Sequence, residues 1–314
     1  MQQQDLANHP IMRQVRRAIA LNRSPGWHFC GNFFDVIFNK VQGVDAILTV
    51  PAAQHNLDSA GHLSVAMVAM LADMGLGNAV RASLDPASRL ATVSINLQFN
   101  GVTCTGDIEA VGKGRGFVQG IGGLQGLSDC AITSNDQLIC IGLGSFMIIP
   151  PPPGVELHPI PWIKAAAPLD PPLDMNSLNE KERWILQHAE QTIQTSQAKG
   201  EDFISHFLGF LPTPGERSAY CELINGPHIS NRVGHFQGGI VLAFGMTTAE
   251  AALNKDWVMT GATASYISPG QGAKISARSV VLHQGRSTAV VKTEVFNVDG
   301  RQVLEVLTNH SRRA

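Results

Sequence analysis

One acid stands alone in the most apolar stretch of the first half of the chain. Between Gly61 and Val80, Asp73 is the sole charge, set among Met67, Val68, Met70, Leu71 and Met74. A carboxylate in such surroundings is costly to bury without a partner or a raised pKa, and isolated acids of this kind concentrate at sites of chemistry. A solvent-facing stripe, or an ion pair with a basic residue, is the competing reading. In the second half, Asn231-Arg-Val-Gly234-His-Phe-Gln237-Gly238-Gly239 leads into a helical run from Ile240 to Leu253. Adjacent glycines at a helix start let a ligand approach the backbone and leave the first N–H groups pointing outward, where they can hold a developing oxyanion. The same glycines would also permit tight helix packing, and both readings are open. Thr92, Ser94, Asn96 and Gln98 alternate along an expected strand from Ala91 to Phe99, as one polar face of a strand does. The turn and loop histidines His9, His55, His62, His158, His228 and His235 could move protons. None shows H-x-x-x-H or H-E-x-x-H spacing, so neither metal nor cofactor is expected.

The elements that must carry these residues follow from spacing and punctuation. Ile11, Val15, Ala18 and Ile19 fall at helical spacing, and Pro25–Gly26 closes that segment. Ser177 with Glu180 is expected to form a capping box for a helix through Trp184, Ile185 and Ile193 that Gly200 ends. Strands are expected over Ala273–Leu282, Ser287–Val298 and Val303–His310, with Asp299–Gly300 as a hairpin turn, which makes an antiparallel meander. Gly120-Ile-Gly122-Gly123-Leu-Gln-Gly126 lacks the spacing of a dinucleotide loop and reads as a small-residue strand against a helix. Nine of the seventeen prolines lie between Pro150 and Pro172, an extended connector by composition. We therefore divide the chain at 1–149, 150–176 and 177–314.

The halves are related. At an offset of 173, residues 33–73 align onto 206–246 without gaps, with six identities in forty-one positions, among them His55/His228, Gly61/Gly234 and His62/His235. Gln237 then falls on Ser64, Gly238–Gly239 on Val65–Ala66, and Met246 on Asp73. The first half keeps the acid and lacks the amide and glycines; the second has the reverse.

The pattern N-x-x-G-x-x-Q-G-G before a long helix, with the Gly285–Arg286 hairpin and the strand pair about Asp299–Gly300, resembles the hotdog-fold acyl-CoA thioesterases. The resemblance implies an α+β fold of two tandem hotdog domains, each a long helix wrapped by an antiparallel sheet. It implies a composite site in which one unit supplies the acid and the other the helix-start amide. The usual acid nine residues after Gln237 is replaced by Met246, so one intact site is expected, with Asp73, Asn231, Gln237 and Gly238, beside a decayed one at Ser64 and Met246. Asp73 would act as general base or as nucleophile. Thr92 falls where some family members position the attacking water, although a plain strand face fits it as well. Gly239 would border the substrate, and Arg115 and Arg286, read as lying in corresponding turns, could meet coenzyme A phosphates. Fused hotdog units also often pair again as homo-oligomers. Gly234-His235-Phe236 also resembles the hydroxyacyl dehydratases of this fold, with His235 as base, but the prolines that usually follow that histidine are missing. A non-catalytic acyl-CoA-binding protein is the third reading.

Composition bounds the partners. Of 314 residues, 44% are hydrophobic and 15% charged, below the roughly 25% of an average domain, so a large core is expected. Each half is at −1, which provides no basic footprint for nucleic acid. The uncharged stretch Val233–Ala249 is 17 residues long and includes His235 and several glycines, so no membrane span is expected. The basic amino-terminal stretch (Arg13, Arg16, Arg17, Arg23) reads as an amphipathic helix rather than an organelle presequence. Five cysteines without a C-x-x-C pair suggest reduced thiols and a cytoplasmic setting.

Overall fold

The computed structural model describes residues 6, 8–85, 88–160 and 173–313. The first half runs α1 (Pro10–Asn22), α2 (Phe29–Phe33), β1 (Ile37–Gln42), β2 (Asp45–Val50), α3 (Val65–Arg81), β3 (Arg89–Phe99), β4 (Ile108–Gly120), β5 (Gly123–Ser134) and β6 (Gln137–Ile149). The second follows the same plan: α4 (Glu180–Lys199), α5 (Phe203–Leu208), β7 (Thr213–Gly215), β8 (Ser218–Ile224), α6 (Gly238–Ala251), β9 (Trp257–Tyr266), β10 (Lys274–Gln284), β11 (Thr288–Asn297) and β12 (Gln302–Arg312). α1 buries Ile11, Met12, Val15, Ala18 and Ile19 on one face, and Pro10 occupies the first turn, where a missing N–H costs nothing.

The strands form one twelve-stranded antiparallel sheet in the order β1-β2-β4-β5-β6-β3-β9-β12-β11-β10-β8-β7. Read inward from either edge, each half has the same order, and the halves meet where β3 pairs with β9. Ser94 lies opposite Ser265 there and Gln98 opposite Gly261. Across this seam Asn96 Nδ2 donates to Thr263 Oγ1 at 2.7 Å. α3 and α6 each lie on the strands of their own half and pack against each other. One continuous core spans both halves, with Met12, Phe33, Leu71, Phe207 and Phe244 buried in it, each burial contributing about 1.5–3 kcal/mol. Arg23 clasps Glu182 with two bonds, of 2.8 and 3.0 Å, and so ties the end of α1 to the start of α4. Among the described residues no helix is long and apolar enough to cross a membrane.

The repeat seen in sequence recurs bond for bond in the turn before each long helix. Asp58 N–H donates to His62 O at 2.8 Å, and Asn231 N–H to His235 O at 2.7 Å. Asp58 Oδ1 accepts from the N–H groups of Ala60 and His62, and Asn231 Oδ1 from those of Val233 and His235. Gly61 and Gly234 both take φ +79°, a left-handed conformation that favours glycine. Ser64 Oγ caps Met67 N–H as Gln237 Oε1 caps Ile240 N–H.

Two local expectations are corrected. The capping box of α4 is Asn179 with Glu182, two residues beyond Ser177 and Glu180. Asp174 accepts the N–H of Asn176 and holds Met175–Ser177 in a 3-10 turn, which delays the helix start. The glycine run at 120–123 is the β4–β5 hairpin turn, with Ile121 fully exposed, rather than a strand against a helix. Only Gly126 plays the expected part: a Cβ there would come within 2.3 Å of Val80 Cγ1 on α3.

Candidate active site

Asp73 lies midway along α3, 6% exposed, on the flank that meets the start of α6. Its partners come from two elements, β3 and the start of α6. Gln237 Nε2 donates to Oδ2 at 3.0 Å, Thr92 Oγ1 donates to Oδ1 at 3.0 Å, and the Gly239 N–H adds a backbone bond. Gln237 is the N-cap of α6, and its Oε1 accepts the Ile240 N–H at 2.8 Å. That bond fixes which way the amide faces, since its oxygen is committed to the helix and its NH2 must turn to the acid. Burial pushes the Asp73 carboxyl up to about 6, and the bonds from Thr92, Gln237 and Gly239 pull the other way without cancelling the shift.

The glycines serve close approach. A Cβ on Gly239 would stand 3.0 Å from Met70 Cα and 3.2 Å from Asp73 Cβ, so a side chain there would hold α6 off α3. A Cβ on Gly238 would stand 3.1 Å from Thr92 Oγ1 and 3.3 Å from Asp73 Oδ2, in the space beside the carboxylate. Gly238 is the first residue of α6, so its N–H has no partner within the helix, and the positive end of the helix dipole lies at the acid.

Thr92 reaches Asp73 because of an irregularity that alternation alone does not predict. Along β3, Ile95 and Leu97 are buried, while Asn96 and Gln98 face away from the helices. Strict alternation would send Thr92 outward with them. The register against β6 shifts between Thr92, opposite Phe146, and Ser94, opposite Ser145, which leaves Val93 as an extra residue. This bulge turns Thr92 inward.

Asp73, Gln237, Gly238, Asn231 and Thr92 all line one cavity, together with Trp27, Met74 and Phe146. Asn231 has a structural task there. Its Oδ1 is spent on the N–H groups of Val233 and His235, as that of Asp58 is in the other repeat. Arg115 and Arg286 do not join them. Arg115 lies within β4 at a bulge rather than in a hairpin turn, and it is ion-paired with Asp129. It borders a groove with Asn96, Gln98 and Ile141. Arg286 is exposed in the turn between β10 and β11. The two are therefore not equivalent positions. Three other arginines line the Asp73 cavity: Arg81, Arg89 and Arg232. Arg81 ends α3 and Arg232 follows Asn231, but nothing in their spacing marks them as neighbours.

His235 lines an adjoining cavity with Phe236, Val241 and Tyr266, and not the one that Asp73 lines. Burial and the charge of Arg89 lower its pKa. At the second, equivalent position Met246 is fully buried and Ser64 caps α3. Among the described residues no group of three or more His, Cys, Asp or Glu stands together as a metal site, and all five cysteines are free and buried.

Residues 227–309 match the family model of the acyl-CoA thioesterase N-terminal domain. No curated protein sequence matches the chain. The fold is shared with solved structures of distant sequence. One, assigned as an oleoyl thioesterase from Lactobacillus plantarum, has TM-score 0.54 at 7% identity and covers 86% of this chain and 97% of its own. Another, assigned as a thioesterase from Novosphingobium aromaticivorans, has TM-score 0.53 at 11% identity and covers 89% and 98%. A hotdog-fold protein from Alicyclobacillus acidocaldarius has TM-score 0.50 at 8% identity and covers 89% and 96%. With two helix-and-sheet repeats joined edge to edge, the chain has a tandem hotdog fold, and residues 227–309 of its second repeat match an acyl-CoA thioesterase domain.

Proposed function

We propose that the chain hydrolyses an acyl-CoA thioester to free acid and CoA at one composite site, to which the first repeat gives Asp73 and Thr92 and the second gives Gln237 and Gly238. The observation that carries this reading is the Asp73 carboxyl held at 3.0 Å by both Thr92 and Gln237, beside the first N–H of α6. The acyl carbonyl oxygen rests against the Gly238 N–H, where the helix dipole favours the negative charge of a tetrahedral intermediate. Asp73, ionised above pH 6, takes the proton of a water attacking the carbonyl carbon. The C–S bond then breaks, the thiol sulfur leaves with the electron pair, and the proton held on Asp73 returns to it. Thr92 and Gln237 hold the carboxylate in place throughout, and Asn231 builds the turn that sets the start of α6.

The dehydratase reading needs His235 and Asp73 to act on one substrate; they line adjoining cavities that share Thr92, Asn231 and Gly238, but the prolines that usually follow that histidine are missing. His235→Ala separates the readings. A thioesterase keeps kcat within a few-fold in that variant, whereas a dehydratase loses its activity. Release of free thiol from an acyl-CoA panel, followed with the native protein and with Asp73→Asn, tests the proposal directly. Unchanged turnover in purified, folded Asp73→Asn would falsify it.

A further inference from the structure

Arg81, Arg89 and Arg232 line the Asp73 cavity, and among the described residues none of them is ion-paired with an acid. Backbone carbonyls tether them instead. Arg81 Nη1 and Arg232 Nη2 both donate to Ser88 O, the latter at 3.3 Å, so two like charges share one acceptor. Arg232 Nη1 also donates to His158 O at 3.0 Å, and Arg89 Nη1 to Pro150 O at 3.3 Å. Arg81 Nε is shielded from solvent and has no hydrogen-bond partner. Desolvation lowers the pKa of all three, and with the neighbouring charge of Arg232 it brings Arg81 down to about 9, which leaves it cationic at neutral pH. Cations gathered in this way are unfavourable until an anion joins them. Among the described residues the one acid lining the cavity, Asp73, is committed to Thr92, Gln237 and Gly239.

Position narrows the choice of anion. Arg81 follows Asp73 by eight residues on α3, about 12 Å along the helix axis at 1.5 Å per residue. Met74, Gly77 and Phe146 line the cavity along this stretch, with Trp27 and Leu157 completing an apolar wall. A ligand that fits such a lining has its reacting carbonyl at Asp73, an apolar middle, and an anionic end. Resting on the thioesterase reading above, we propose that Arg81, Arg89 and Arg232 bind the far carboxylate of a dicarboxylic acyl group, so that the preferred substrate is a medium-chain CoA thioester carrying a terminal acid. The planar guanidinium forks suit a carboxylate, which can accept two parallel bonds. A phosphate of coenzyme A is the other source of an anion, and the desolvated Arg81 beside apolar walls favours the acyl carboxylate over it.

The test compares octanedioyl-CoA with octanoyl-CoA, and each acyl group again as its N-acetylcysteamine thioester, which carries no phosphate. Native protein is expected to favour the dicarboxylic member of each pair at least tenfold in kcat/KM. Arg81→Met and Arg232→Met should erase that preference, lowering kcat/KM for the dicarboxylic substrate at least tenfold more than for its neutral counterpart, with and without the phosphates. Arg81→Lys, which keeps the charge and loses the fork, should fall between. Preference for the neutral acyl group, or equal losses on both members, overturns the proposal. A deficit confined to the CoA thioesters overturns it too, because the anion is then a phosphate. If no thioester is turned over at all, the hydrolase reading has failed instead. Calorimetry with the non-hydrolysable thioethers of the same two acyl-CoA compounds then decides the arginine site by itself: tighter octanedioyl binding that Arg232→Met removes supports it, and equal binding overturns it.

Discussion

Asp73 combines two features that structural acids seldom share: it is almost fully buried, and among the described residues it has hydrogen-bond donors but no basic partner. Its carboxyl is raised to about 6, so the proposed activity and the stability should both depend on pH. In the proposed role of base it must be ionised, so kcat/KM should rise through an apparent pKa near 6 and level off above it. The same limb is expected if the carboxylate attacks directly to give an anhydride, because both routes need the ionised form. Asp73→Asn should remove the limb and lower turnover by about 10²–10⁴-fold, the usual worth of a positioned base. Stability runs the opposite way. A carboxyl whose folded pKa exceeds its unfolded value of 3.8 stabilises the fold below that value, and the contribution is lost as pH rises through about 6. Thermal melts of native protein and Asp73→Asn across pH 4 to 7 should therefore show the variant gaining relative stability with pH, on the order of 3 kcal/mol at most. A difference that does not change with pH would contradict the raised pKa.

At the scale of elements, the close approach of α3 and α6 brings the acid of one repeat to the helix start of the other. Gly239 permits it, since a side chain there meets Met70 Cα rather than a yielding side-chain tip. Gly239→Ala is expected to cost about 1–3 kcal/mol of stability by overpacking. It should also reduce kcat more than it raises KM, because it moves Gln237 and Gly238 away from Asp73. A melt paired with steady-state kinetics checks both. Met246 gives the contrast at the equivalent position. Buried with no polar partner, it should cost about 2–5 kcal/mol on truncation to Ala, yet leave kcat of the remaining folded protein unchanged. The bulge at Val93 is the other device at this scale. Without it β3 would direct Thr92 away from the helices, and the carboxylate would lose one of its two side-chain donors.

At the scale of the whole molecule, the sheet is close to symmetric and the chemistry is not. Equivalent turns, equivalent caps and one strand order in both halves carry an acid on one side and an amide with two glycines on the other. One site per chain is the expected consequence. Calorimetric titration with a non-hydrolysable acyl-CoA thioether should give a single binding equivalent per chain, whatever the oligomeric state, and two equal sites would contradict the decay of the second. What the sequence determined by itself was local: the uncharged helices, the meander, the turn repeated at an offset of 173, and the complementary loss of Asp73 in one half and Gln237 in the other. These follow from spacing, capping and glycine chemistry, which act over a few residues. Tertiary structure alone decided the inward turn of Thr92, the withdrawal of Arg115 and Arg286, the structural use of Asn231, and the gathering of Arg81, Arg89 and Arg232. Apart from Asn231, whose bonds are local to its own turn, each depends on a sheet bulge or on segments far apart in sequence meeting in space, and neither leaves a periodicity to read.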